Sequence, residues 1–322
     1  MFNLSRRALA AFVTVAALTP GIARAADALK EIHIDWATYN PVSMILKGLL
    51  EKEFAKDGIG IVWVQSAGSN KALEFLNAGS IDFGSTAGSA ALVARINGNP
   101  IKSIYVFSRP EWTALVTARD SAISDVAGLK GKRVAVTRGT DPHIFLVRAL
   151  LGAGLSEKDI TPVLLQHADG KTALIRGDVD AWAGLDPMMA QAEIEDGARL
   201  LFRNPAANSW GILNVREPFL KDHPDVVRRV LASYEEARKY SLANYDDLKK
   251  TFIAVTKLPD AVADKQLKER TDLSFSRIGT PQRESILAAG LALQQAGVID
   301  AKVDIKAALD ALIDDQVPLP TN

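Results

Sequence analysis

Among its 322 residues the chain has no cysteine. That excludes disulfide staples, thiolate zinc sites, iron–sulfur clusters, cysteine nucleophiles and a lipid on an N-terminal cysteine. Histidine is scarce too: His33, His143, His167 and His223 stand at no metal-ligand spacing such as H-E-x-x-H. Neither sign of charge is in excess. The 38 Lys and Arg are matched by 38 Asp and Glu, for a formal net charge of zero, which argues against a nucleic-acid binder with its usual basic surplus. Beyond residue 25 no stretch approaches the roughly 18 uninterrupted apolar residues of a membrane-spanning helix. What is present, 48% hydrophobic and 24% charged residues, can bury a core and excludes a disordered tail or a collagen-like repeat. The length suggests two domains.

The apolar run that does occur stands at the start. Arg6 and Arg7 precede an uncharged, mostly apolar stretch from Ala8 to Leu18, followed by Pro20, Gly21 and Ala23-Arg24-Ala25. This is the anatomy of a secretory signal peptide over residues 1–25, cleaved near Ala25. Ser5-Arg6-Arg7 is an incomplete twin-arginine pattern, so general secretion is the expected route. Cleavage would remove three arginines and no acid, leaving 35 bases against 38 acids and a net charge of −3. The expected destination is a bacterial periplasm, without a tether.

The body alternates strands and helices. Ile32–Trp36 reads as a strand, and Val42, Ile45, Leu46, Leu49, Leu50 and Phe54 share one helical face. Asn40 suits an N-cap and Pro41 the first turn. Ile61–Val64 and Ile81–Phe83 read as strands, each followed by a polar loop and a helix. The rhythm restarts with strands at 133–137, 163–166, 179–183, 199–203 and 211–215, and from Pro224 the chain is mostly helical. L-x-x-G-x-[IV]-D occurs twice, at Leu76–Asp82 and at Leu174–Asp180, each time as a helix end, a glycine cap and a buried strand. The pattern implies an α/β protein of two similar lobes, each a mixed sheet flanked by helices. The second lobe is inserted in the first: 27–115 plus 212–322 form one, 116–211 the other, with two crossing strands as hinge.

Catalytic signatures are thin. Gly58-Ile59-Gly60 lacks the third glycine of a dinucleotide fingerprint, Gly131-Lys132 makes no P-loop, and Gly84-Ser85-Thr86-Ala87-Gly88 has threonine where a hydrolase elbow needs serine. What recurs is a polar loop at a helix start: Tyr39-Asn40-Pro41, Gly68-Ser69-Asn70, Ser85–Ser89 and Arg138–Pro142. Helix N-termini offer unpaired N–H groups and partial positive charge, and bind oxyanions. In open α/β sheets such loops gather at the carboxyl ends of the strands, where ligands bind. Ordinary capping explains any one of them.

Phe75–Gly84, Asp125–Val136 and Val179-Asp180-Ala181-Trp182, in this order and spacing, resemble the periplasmic substrate-binding proteins of ABC importers, in the branch that binds aliphatic sulfonates, taurine and nitrate. The resemblance covers most of the mature chain. It implies a two-lobed periplasmic-binding-protein fold (type II), a monomer without cofactor or metal, not an enzyme. It also implies a small-molecule ligand, anionic, in the cleft and a permease of the inner membrane as partner. Carried onto this chain, the ligand loops fall at Tyr39-Asn40, Ser69-Asn70, Thr86 to Gly88, Gly139-Thr140-Asp141 and Trp182 to Asp186. Two departures stand out. Arg138 replaces the small residue that often precedes Gly-Thr, and could face an anion or solvent. The W-x-x-W-D-P-Y run is reduced to Trp182 followed by Leu185-Asp186-Pro187-Met188.

The expected site therefore sets an oxyanion against the N–H groups of Ser69-Asn70, Thr86 and Thr140. Tyr39, Trp182 and Trp210 would wall the organic part, with Trp112 as substitute. The ligand could equally be nitrate, a phosphonate, an aromatic acid or a pyrimidine or thiamine precursor. The rival from another class is an exported enzyme of related fold, for which His143 is the histidine best placed.

Overall fold

The computed structural model describes residues 29–319; the expected signal peptide and its cleavage point lie outside them. Two sheets organise the chain. The first starts with β1 (Glu31–Trp36), which buries Ile32 and Ile34 as the alternation requires, and Asp35 against it, and which pairs in parallel with β2 (Gly60–Gln65) and β3 (Phe83–Ala87). Between them lie α1 (Val42–Ala55) and α2 (Ser69–Ala78), and α3 (Gly88–Ile96) follows β3. Antiparallel to β3 runs β10 (Gly211–Arg216), then β4 (Ile101–Pro110) and the short β11 (Thr271–Asp272), in the order β11-β4-β10-β3-β1-β2. The second sheet has the order β7-β6-β8-β5-β9. Here β6 (Arg133–Val136) pairs in parallel with β7 (Thr161–Leu164) and β8 (Ala181–Ala183), while β5 (Leu115–Thr117) runs antiparallel to β8 and to β9 (Arg199–Phe202).

The two sheets share one plan. In each, the first parallel strand lies between the second and third, and the third is flanked by an antiparallel strand that has just arrived from the other sheet. That strand is β10 in the first and β5 in the second. The passages between sheets are the segments 111–114 and 203–210. The sequence repeat occupies equivalent places. Gly79 and Gly177 end α2 and α5 (His167–Arg176) with almost the same left-handed backbone, φ 71° and 77°, ψ 15° in both. Asp82 exchanges two hydrogen bonds with the backbone of His33 in β1, and Asp180 does the same with Arg133 in β6. Each repeat aspartate thus pins the third strand to the first, which is why that residue ends the motif.

One expectation is corrected here. The loop expected at Gly84–Ser89 is strand β3 running straight into α3. Its residues 83–87 are fully buried and pair with β10, so Thr86 sits in mid-strand. Small polar residues read as loop, yet here they fill a sheet covered on both faces. Asn40 holds the start of α1 from both sides of its amide: Oδ1 accepts from the Ser43 N–H at 3.3 Å, as expected of a cap, and the NH2 donates to Ser85 Oγ at 2.7 Å. β4 is buried along almost its whole length, so it carries none of the alternation by which strands are recognised.

The remaining helices attach mostly to the first sheet. The long α8 (Pro224–Ala243) lies on α1, and α11 (Thr280–Gln295) and α12 (Ile305–Leu312) lie on α3. The second sheet is covered by α4 (Asp141–Gly152), α5 and α6 (Met188–Glu195). Among the described residues no helix is long and apolar enough to cross a membrane.

Candidate functional site

The carboxyl ends of β1 and β2 in one lobe face the segments after β7 and β8 in the other. Between them is a chamber of about 350 Å³. Trp36, Thr38, Ser66 and Ala67 line it from the first lobe, and Gln166, His167, Pro187 and Met188 from the second. The end of α9 (Tyr245–Thr256) closes one side with Val255 and Thr256. This is the size of a small-molecule pocket. A second gap, bordered by Tyr39, Ser69, Trp112, Thr140, Asp141 and Leu185, measures about 10 Å³, room for about one water molecule. The lobes are therefore closed on one another on the Trp112 side.

Behind the first-lobe wall is a buried polar network centred on Asp35. One carboxylate oxygen accepts from the Ser85 N–H at 2.8 Å and the Ser85 hydroxyl at 2.9 Å, the other from the Ser66 hydroxyl at 2.5 Å. Burial pushes the Asp35 carboxyl up to about 7, because those donors only partly replace water. Ser85 Oγ in turn accepts from the Asn40 amide at 2.7 Å, and the Tyr39 hydroxyl donates to the Ser85 carbonyl at 2.8 Å. Tyr39 and Ser66 are thus held from behind and present their outer edges to the junction.

The junction itself is polar and tight. Asp141, at the N-terminus of α4, lies 2% exposed and gathers three donors from outside its own helix. These are the Ser89 hydroxyl of α3 at 2.6 Å, the Trp112 indole N–H of one passage at 2.7 Å, and the Ser209 N–H of the other at 2.9 Å. Burial raises the Asp141 carboxyl, opposed by these bonds. Thr140 donates to the Thr137 carbonyl at 2.6 Å and shapes the turn before α4. Gly139, with φ +75°, brings that turn against Asn70, and Gly68 packs against the His167 imidazole. A Cβ at Gly68 would lie 2.8 Å from His167 Nε2, so only glycine permits this approach. Tyr39, Ser69, Asn70, Gly139, Thr140 and Asp141 are accordingly brought together, and the first turns of α2, α4 and α5 meet here.

Other expected residues stand elsewhere. Thr86 is fully buried, its hydroxyl accepting from the Asn214 amide at 2.8 Å, and Gly88 packs under Ile286. Arg138 is turned outward, 58% exposed at its side chain and 3.7 Å from Glu157. His143 points the same way, 3.1 Å from Glu157 and away from the chamber. Trp182 does not wall the cleft. Strand alternation turns it into the core of the second lobe, against Gly170 and among Ala173, Leu174 and Met189. Trp112 holds the cleft position instead, edge-on to Tyr39 at 5.8 Å. Asp186 is buried and paired with Arg270, which comes from the first lobe and also holds Glu193. Burial raises Asp186 to about 6 although Arg270 pulls the other way. Trp210 stacks edge-on with Phe275 at 4.8 Å, under the Arg109 guanidinium.

Sequence reasoning passed over Trp36, Ser66, Gln166, His167 and Met188. The last three follow β7 and β8 at strand-to-helix turns like those singled out above. The strand read at 163–166 followed by a helix was the available signal. Among the described residues no group of three His, Asp or Glu is arranged to hold a metal ion.

The geometry has close parallels. The alkanesulfonate-binding protein SsuA of Xanthomonas axonopodis pv. citri, solved bound to MOPS, superposes with a TM-score of 0.79 at 27% identity, over 86% of this chain and 97% of that one. The periplasmic aliphatic sulphonate binding protein SsuA of Escherichia coli superposes with a TM-score of 0.72 at 28% identity, over 86% and 91%. A 4-amino-5-hydroxymethyl-2-methylpyrimidine phosphate synthase of Uromyces fabae is 28% identical over 190 residues, 53% of this chain and 54% of its own. The family model described as NMT1/THI5 like matches residues 53–247. With two sheets of one plan, a cleft at their strand ends and this match over more than half its length, the chain belongs to the NMT1/THI5-like family.

Proposed function

We propose that this is a periplasmic binding protein that delivers a small organic anion, an aliphatic sulfonate, to an ABC importer. The observation that carries the reading is the small interlobe chamber itself, with the N-termini of α5 and α6 on its second-lobe wall and Ala67, just ahead of α2, on the other. Partial positive charge at such ends suits an oxyanion head without a fixed cation. This matters for a mature chain whose net charge would be −3. Trp36, Ala67, Pro187 and Met188 supply an apolar section for an alkyl chain. The sulfonate-binding names of the two SsuA relatives support the same ligand class. Hinge opening at 111–114 and 203–210 would admit the ligand, and closure would present one face to the permease. Export with loss of residues 1–25, and a monomeric state, belong to the same proposal.

The test is a titration of purified protein with alkanesulfonates, followed by calorimetry and tryptophan fluorescence. Saturable heat and a fluorescence change are expected, with the change much reduced in Trp36→Phe, since Trp36 lines the chamber. No heat with any alkanesulfonate would sink the sulfonate reading. The synthase relative favours a second reading, a pyrimidine precursor as ligand or substrate. The same titration with a hydroxymethylpyrimidine discriminates it. Turnover of that compound would point to an enzyme.

A further inference from the structure

His167 opens α5 at the edge of the chamber and is 2% exposed. Its tautomer follows from its neighbours. The Thr137 hydroxyl donates its hydrogen to the Leu165 carbonyl at 2.7 Å, so toward His167 Nδ1, at 3.3 Å, it can only accept. The proton of the neutral ring is therefore on Nδ1, and Nε2 carries a bare lone pair. Nε2 is turned toward Gly68 and Asn70 across the junction and has no hydrogen-bond partner. A buried acceptor left unpaired costs free energy comparable to a lost hydrogen bond. Burial also holds the imidazole neutral, its proton affinity depressed to about 3. Two amide oxygens of the same neighbourhood, Asn70 Oδ1 and Gln166 Oε1, are likewise buried and unpaired. The first turn of α2 suits an anion, but the His167 edge would repel one and attract an N–H or O–H.

Building on the sulfonate reading, we propose that His167 Nε2 is a specificity-determining acceptor. The preferred ligand then carries a hydrogen-bond donor, an amino or hydroxyl group, on the carbon chain beyond its anionic head. A plain alkanesulfonate fills the same space but leaves Nε2 unpaired, the situation in which sites discriminate most strongly.

The experiment compares three sulfonates of equal heavy-atom chain: 2-aminoethanesulfonate, 2-hydroxyethanesulfonate and 1-propanesulfonate. Calorimetry on the wild-type protein should find at least one of the first two bound about ten-fold or more tightly than the third. His167→Met should bring the ratio close to one, and His167→Gln, which returns an acceptor near the Nε2 position, should restore part of it. Should either variant fail to fold, nitrogen-15 spectra of the wild-type imidazoles decide the point. The protein has four histidines, and His167 should be neutral and protonated on Nδ1, with Nε2 shifting when the donor-bearing ligand is added. Equal affinity for all three, or an Nε2 resonance unmoved by ligand, overturns the inference and leaves the sulfonate reading standing. Absence of binding by all three overturns both.

Discussion

Asp35 shows how a single buried group sets a pH dependence. Its folded-state pKa of about 7 lies above the 3.8 of an ordinary aspartate, so folding favours the protonated form. The stability it contributes is full below about pH 4 and is lost as pH rises towards 7, by up to about 4 kcal/mol. Asp35→Asn keeps an acceptor for the Ser85 N–H and hydroxyl, and lets Ser66 Oγ accept instead of donate. Urea denaturation at pH 4.5 and pH 7.5 should show the variant gaining on the wild type as pH rises. Parallel pH profiles for the two proteins would refute this. Legibility at this scale was uneven. Thr140, Asp141 and Ser69 were readable because turn and cap chemistry is local. Trp182 was not, because the face of the strand that it occupies is decided by what covers the sheet: it goes to α5 and the core, and Trp112, on an irregular passage, takes the cleft.

At the scale of elements, the repeated motif was legible and its meaning exact in kind: two glycines in the same left-handed conformation, two aspartates bonding the same relative strand. Glycines with equal standing in the sequence differ in cost. Gly177→Ala meets nothing within 4 Å, but its φ of +77° is unfavourable, so a loss of about 1–2 kcal/mol is expected. Gly170 lies inside α5, where helix propensity alone makes alanine better by about 1 kcal/mol. Its Cβ would stand 2.7 Å from the Trp182 indole nitrogen, so overpacking wins and Gly170→Ala should lose about 1–3 kcal/mol. Chemical denaturation of the two variants checks both, and a stabilised Gly170→Ala would overturn the packing argument. The strand read at Ile81–Phe83 was cut short of β3, and β4 was missed, for a common reason. Strands buried on both faces lose their alternation, and small polar residues then look like loop.

For the whole molecule the decisive contacts cross between lobes. Asp141 collects donors from α3 and from both passages, and Arg270 of the first lobe neutralises Asp186 and holds Glu193 of the second. A hydrogen bond to a charged group is worth about 1.5–3 kcal/mol, so these links weigh on the opening of the cleft. Asp141→Ala removes the acceptor of all three donors. The ligand-free variant should have a larger radius of gyration in X-ray scattering, and ligand affinity should fall about ten-fold or more as the closed form is depopulated. Scattering indistinguishable from the wild type would show that Asp141 does not latch the lobes.

By itself the sequence determined the class of the protein. Hydrophobic periodicity, helix caps and the L-x-x-G-x-[IV]-D repeat are short-range properties, and they sufficed for strand–helix alternation and two like lobes. Only the tertiary structure decided which loops confront each other. It set His167 and Gln166 opposite Gly68 and Asn70, sent Arg138 and His143 outward, and spent Asp186 on Arg270. The reason is that a binding cleft is made of contacts between residues tens of positions apart, and no local pattern records which face of an element its partner will cover.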